Sequence, residues 1–202
     1  MMSYVSIGML FAFAAAVQPG PFQAYLIAQS LAHGWRKTAI AAFAPLISDG
    51  PVAVLTLLIL TTLPGWLMQV LRCAGGIFLI YLAWNAFKTW RTYDTERDIP
   101  VNFGEKGLMR AVFVNLLNPN PYLGWSLVMG PLLLKGWREQ PANAIALLAA
   151  FYATIIICSF GIVFAFGSAR HLGPRVSRFL IGVSALALAA FGLYQLWSGA
   201  TT

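Results

Sequence analysis

What most constrains this chain is where charge is missing. No Lys, Arg, Asp or Glu occurs from Met1 to Trp35, from Ala111 to Leu134, from Gln140 to Ala169 or from Phe179 to Thr202. From Thr38 to Leu71 there is a single charge, Asp49. A helix of about 20 apolar residues crosses the hydrocarbon core of a bilayer, and each of these runs is long enough. A soluble domain carries about 25% charged residues, whereas this 202-residue chain carries 9%. The pattern predicts an all-α integral membrane protein.

Six transmembrane helices fit, at about Tyr4–Ser30, Thr38–Leu63, Trp66–Trp90, Leu108–Leu134, Ala142–Gly167 and Pro174–Trp197. The first imitates a signal peptide, with "FAFAAAVQ" in place of a cleavage site. It has no basic segment ahead of it and its apolar run continues past the supposed cut, so it is read as a retained helix. The net charge of +7 contains no basic cluster longer than Arg36-Lys37. Charges scattered between apolar spans orient a protein in lipid, so no nucleic-acid partner is expected. Cys73 and Cys158 lie in apolar segments without a CxxC pair and read as packing residues.

With the N-terminus outside, the inner connections hold Arg36, Lys37, Lys88, Arg91, Arg97, Lys106, Arg110, Arg170, Arg175 and Arg178. The outer side holds only Arg72, Lys135 and Arg138. Basic residues concentrate on the cytoplasmic side, which places both termini outside and the long polar loop, residues 91–107, in the cytoplasm.

That loop divides two halves, residues 1–90 and 108–202, which resemble each other. "QPGPF" at Gln18–Phe22 recurs as "NPNPY" at Asn118–Tyr122, and "HGWRK" at His33–Lys37 as "KGWRE" at Lys135–Glu139. Arg72 and Gly76 recur as Arg178 and Gly182, so the offsets are 100, 102 and 106. Each half has three spans, so the second enters the membrane from the opposite side. The expectation is a 3+3 inverted-topology repeat, a design shared by many secondary transporters.

The recurring prolines fall near mid-membrane. Proline lacks an N–H and clashes with the carbonyl four residues earlier, so Pro19 and Pro21 free the carbonyls of Ala15 and Val17, and Pro119 and Pro121 those of Asn115 and Leu117. Irregular backbone persists at membrane depth only where protein buries it or a wet cavity solvates it. Helices 1 and 4 are therefore predicted to be broken, with new half-helix N-termini near Phe22 and near Tyr122. Such ends suit a carboxylate.

Asp49 is the only acid inside any span, and Gly50 and Pro51 beside it predict a distorted second helix. An intramembrane carboxyl is costly and usually marks an ion, proton or substrate path, which makes Asp49 the proton-coupling candidate. The substrate-binding candidates are Gln18, Pro19, Gly20, Pro21, Gln23, Asn115, Asn118, Pro119, Asn120 and Pro121, with Ser48 and Ser126 as supporting polar groups. Tyr25, Tyr122, Trp125 and Tyr152 could wall a cavity, but lipid-facing or interfacial positions are the default expectation. Small residues at Gly75, Gly76, Ala83, Gly182, Ala185 and Ala189 permit close helix contacts, either within one chain or between copies in a homo-oligomer.

"PGP" in the first span, "LAHGWRKTAIAAFAPLISD" after it, "GGIFLIYLAWNAFK" in the third and "NLLNPNPY" in the fourth resemble the LysE/RhtB family of amino-acid exporters. The resemblance covers nearly the whole chain. It implies a bacterial-type inner-membrane protein that expels amino acids or related metabolites on the proton gradient. Pro19, Gly20, Pro21, Asp49, Asn118 and Pro119 correspond to the family's functional positions. Exporters of lysine and arginine in that family carry a second aspartate shortly after the fourth-span Asn-Pro, where this chain has Gly124 and Trp125. A neutral side chain on the substrate is therefore expected.

The alternative is an inorganic-cation transporter of a related inverted-repeat family. Metal sites gather several ligands, and His33 and His171 stand at span ends without a cluster. No GxSxG, HExxH or CxxC is present, so neither an enzyme, a metal site nor a cofactor is expected. The expected partners are an amino acid, protons and the lipid bilayer.

Overall fold

A computed structural model describes residues 1–59, 65–92, 104–169 and 174–201. The end of the second predicted span at Leu63, most of the 91–107 linker, and Arg97, Arg170 and His171 lie outside the described residues. All regular structure among the described residues is helical.

The first predicted span is two helices, α1 (Met2–Val17) and α2 (Pro21–His33), which meet at 65°. Gly34, at φ 81°, then turns the chain into α3 (Trp35–Thr38), a 3-10 segment (Ala39–Phe43) and α4 (Ala44–Ile59). Pro51 sits inside α4 without ending it. The irregular winding of this span lies upstream, in the 3-10 turn before Asp49, and not at Gly50-Pro51 as expected. A long helix, α5 (Gly65–Thr92), completes the first half.

The second half opens with α6 (Gly104–Leu116), which stops at Leu117–Asn118. Beyond the break run α7 (Pro119–Gly124), a π turn (Trp125–Met129) and α8 (Gly130–Glu139). Two long helices, α9 (Pro141–Ser168) and α10 (Pro174–Thr201), follow.

Among the described residues, four helical stretches are long and apolar enough to cross a membrane: Trp35–Leu55, Gln69–Arg91, Pro141–Ser168 and Arg175–Thr201. Counting α1 and α2 as one bent span makes five. The fourth predicted span is not among them, because its break divides it into pieces that do not pass on length and apolarity.

Packing pairs α5 with α10 most extensively and α1 with α9 next; α2 packs on α9 and α10, α8 on α9, and α4 on α6. Glycine decides how close the first pair comes. A Cβ on Gly76 would stand 2.8 Å from the Gly192 carbonyl oxygen, and one on Gly192 would stand 3.0 Å from that of Gly76. Close approach through small residues is how helices associate where lipid competes with apolar side chains.

The surface is the reverse of a soluble protein's. Leu10, Ile157, Phe179 and Leu186 are 68–72% exposed, while Ser48, Asp49, Asn115 and Asn118 are buried. Buried polar groups need partners, and theirs lie at the two breaks.

Candidate functional site

The first break is built by its prolines. Pro19 cannot bond the Ala15 carbonyl, and the side chain of Gln23 replaces it, its Nε2 donating to Ala15 O at 3.1 Å. Pro21 occupies the first turn of α2, where a missing N–H costs little. Gly20, in extended conformation (φ −161°, ψ 176°), is the N-cap and has no side chain to bond the first N–H groups of α2. That helix end is left open.

At the second break Asn118 is the N-cap, and its Oδ1 accepts from Asn120 N–H at 3.1 Å. The Asn115 carbonyl, stripped by Pro119, accepts from Asn118 N–H at 3.2 Å, and the Tyr122 hydroxyl donates to Leu116 O at 2.9 Å. The Leu117 carbonyl is accommodated by Gly75, where a Cβ would stand 2.5 Å from its oxygen.

The half-helices begin at Pro21 and Pro119, earlier than expected, and most clearly so in the second half. Asn118 is a strong cap, so Pro119 takes the first helical position. Pro121 then falls in the first turn, where N–H groups have no intrahelical partner to lose.

Asp49, 4% exposed, sits between the breaks. The Asn115 amide donates to its Oδ1 at 3.0 Å and contacts Ser48 Oγ at 2.7 Å. Ser48 has one hydrogen to give. The Ala44 carbonyl at 3.0 Å is a better acceptor for it than Asp49 Oδ1 at 3.5 Å, so Asn115 is the principal partner of the pair. The indole N–H of Trp125 is a second donor to Asp49. None of these partners is a cation.

These groups open onto one crevice of about 620 Å³, within the range of small-molecule sites, about 300–1,000 Å³. Of the predicted residues, Gln18, Gly20, Gln23, Asp49, Asn115, Asn118, Asn120 and Pro121 line it. Pro19, Pro21 and Pro119 do not; they shape the backbone behind it. Ser48 is buried beneath Asp49, and Ser126 bonds back to Leu123 O at 3.3 Å.

Three aromatic placements correct the lipid-facing expectation. Tyr25, Tyr122 and Trp125 are 0%, 6% and 3% exposed. Each buried polar tip has an acceptor: Gly107 O for Tyr25, Leu116 O for Tyr122 and Asp49 for Trp125. A buried hydroxyl or indole N–H without one would be costly. Phe11 and Phe151 also line the crevice and were not singled out from sequence. A signal existed for two of these residues. Phe11 lies seven positions before Gln18 and Trp125 seven after Asn118, which is two turns along one helix face.

Among the described residues no three of His, Cys, Asp or Glu stand together as a metal site would require. Comparison with curated proteins returns no match, and neither does comparison with solved structures. The chain belongs to the LysE type translocator family, whose model matches residues 13–199, and is accordingly a multi-pass membrane protein of a transporter family.

Proposed function

We propose that this protein is a proton-coupled secondary transporter of the bacterial inner membrane that exports amino acids with uncharged side chains. The observation that carries this reading is the shared crevice, which joins an uncapped helix N-terminus at Gly20 to the buried carboxyl of Asp49. The substrate carboxylate rests on the first N–H groups of α2, at Phe22 and Gln23, where the dipole favours an anion. Asn118 and Asn120 border the same space, and the substrate ammonium meets Asp49. A carboxyl held only by neutral donors can change protonation state without breaking an ion pair, which suits a proton carrier.

The protein works as a six-span 3+3 inverted repeat with both termini outside, in keeping with ten inner basic residues against three outer ones. Two features of the packing support the repeat. The α1–α9 pairing is answered by α4–α6, as exchange of the halves requires. At the α5–α10 seam, a Cβ on Gly76 would stand 2.7 Å from Leu196 Cγ, and one on Gly182 would stand 3.0 Å from Trp90 Nε1. The offset of 106 carries Gly76 onto Gly182 and Trp90 onto Leu196, so each contact is the other with the halves exchanged. Rocking of one half against the other alternates access to the fixed site.

In proteoliposomes, Asp49→Asn is expected to reduce pH-gradient-driven amino-acid flux to the level of empty vesicles while the protein remains monodisperse. Full flux in that variant would remove Asp49 from the coupling.

A further inference from the structure

The crevice has a second character. An aromatic run passes from Phe11 to Phe151 (ring centroids 6.1 Å apart, stacked) and from Phe151 to Trp125 (6.3 Å, edge-on). At its far end the Trp125 indole bonds Asp49. Leu127, Val128 and Ile155 extend the apolar wall, and Asp49 is the one charged side chain among the lining residues described. A polar or charged group pressed against that wall would lose water without gaining a partner, whereas an apolar side chain gains by leaving water.

At the Phe11 end stands Gly124. A Cβ built there would lie 3.1 Å from Phe11 Cζ and 3.5 Å from Cε1. The Phe11 ring is thus seated directly against the backbone of α7, with Phe151 stacked behind it. A Cβ at position 124 requires that ring to give by a few tenths of an ångström, and a branched side chain requires more.

Resting on the amino-acid exporter reading above, we propose that the substrate carries a large apolar side chain, branched or aromatic, which packs along Phe11, Phe151 and Trp125. Gly124 sets the size limit. The zwitterionic end lies at Asp49 and the open end of α2, and the side chain extends along the aromatic run.

The test is counterflow of labelled phenylalanine, leucine, alanine and lysine by the full-length protein in proteoliposomes. Phenylalanine and leucine are expected to exchange far faster than alanine or lysine. Gly124→Val is expected to lower kcat/KM for phenylalanine by at least about 10- to 200-fold, the range for a single methylene too many in a hydrophobic pocket, with a much smaller change for alanine. Valine is no poorer a helix residue than glycine. If the valine variant nevertheless fails to fold, Gly124→Ala and Phe11→Leu carry the same comparison, with a smaller loss in the first and a widened size limit in the second. Alanine or lysine moving as well as phenylalanine, or equal loss for all substrates in the variants, overturns the inference and leaves amino-acid export standing. No counterflow of any of a full set of amino acids by the wild-type protein overturns the export reading itself.

Discussion

The two proline breaks start from the same chemistry and end differently. Each loses a carbonyl partner to its first proline, Ala15 to Pro19 and Asn115 to Pro119. In the first half a side chain eight residues further along, Gln23, mends the loss, and Gly20 leaves the N-terminus of α2 open. In the second half the backbone N–H of Asn118 mends the loss, its side chain closes the N-terminus of α7, and Asn115 turns its own amide to Asp49. One break leaves a helix end open, the other caps its helix and holds the acid. On the inverted-repeat reading proposed above, the two halves divide the work.

That division can be tested by making the breaks alike. Gly20→Asn gives α2 the cap that α7 already has. The backbone at Gly20 is extended, and an added Cβ would meet only Gln23 Oε1 at 3.2 Å, the end of a flexible side chain. The new side chain competes with the substrate carboxylate, and a hydrogen bond to a charged group is worth about 1.5–3 kcal/mol. KM for the transported amino acid should therefore rise tenfold or more, on the order of that energy, while the melting temperature stays level or rises. An unchanged KM would mean that the open end of α2 is not where the substrate sits.

Asn118→Ala should act in the opposite sense. It removes a cap at a cost of about 1 kcal/mol, lowering the melting temperature with a smaller effect on KM than Gly20→Asn. A loss confined to KM would instead make Asn118 a substrate contact. The smallest effect belongs to Gln23→Leu, which deprives Ala15 O of its donor. Polar contacts between membrane helices average about 0.6 kcal/mol, so denaturant titration should show a modest loss, with the Gly20 site still binding.

Much of this arrangement was legible in the chain. The breaks follow from the covalent fact that proline lacks an N–H, which no packing can restore. Asp49 stands out for a different reason: a lone acid among apolar residues has no solvent to turn to. Where each half-helix begins was less legible, because it depends on which residue caps it: Asn118 takes that place, and the start moves to Pro119. Pro51 shows a further limit. The residues around it suggested a distorted helix, yet α4 continues through it and the irregular turn lies at Ala39–Phe43.

The aromatic residues were the hardest to place. Tyr122 and Trp125 are amphipathic, and their sequence fits a lipid interface as well as a buried contact. What fixes them inside is an acceptor on another helix, Leu116 at the end of α6, across the break, for Tyr122 and Asp49 of α4 for Trp125. Sequence spacing puts Trp125 on the face of Asn118 but does not say what that face meets.

By itself, then, the sequence determined which segments prefer lipid, where helices 1 and 4 must be interrupted, and that one acid lies among them. These are local consequences of transfer free energy and of proline's missing donor. Only the tertiary structure decided that both interruptions and Asp49 share a crevice, that one helix end stays open while the other is capped, and that Phe11 rests on Gly124. Those outcomes depend on contacts between residues far apart in the chain, whose energies exist only once the helices have packed.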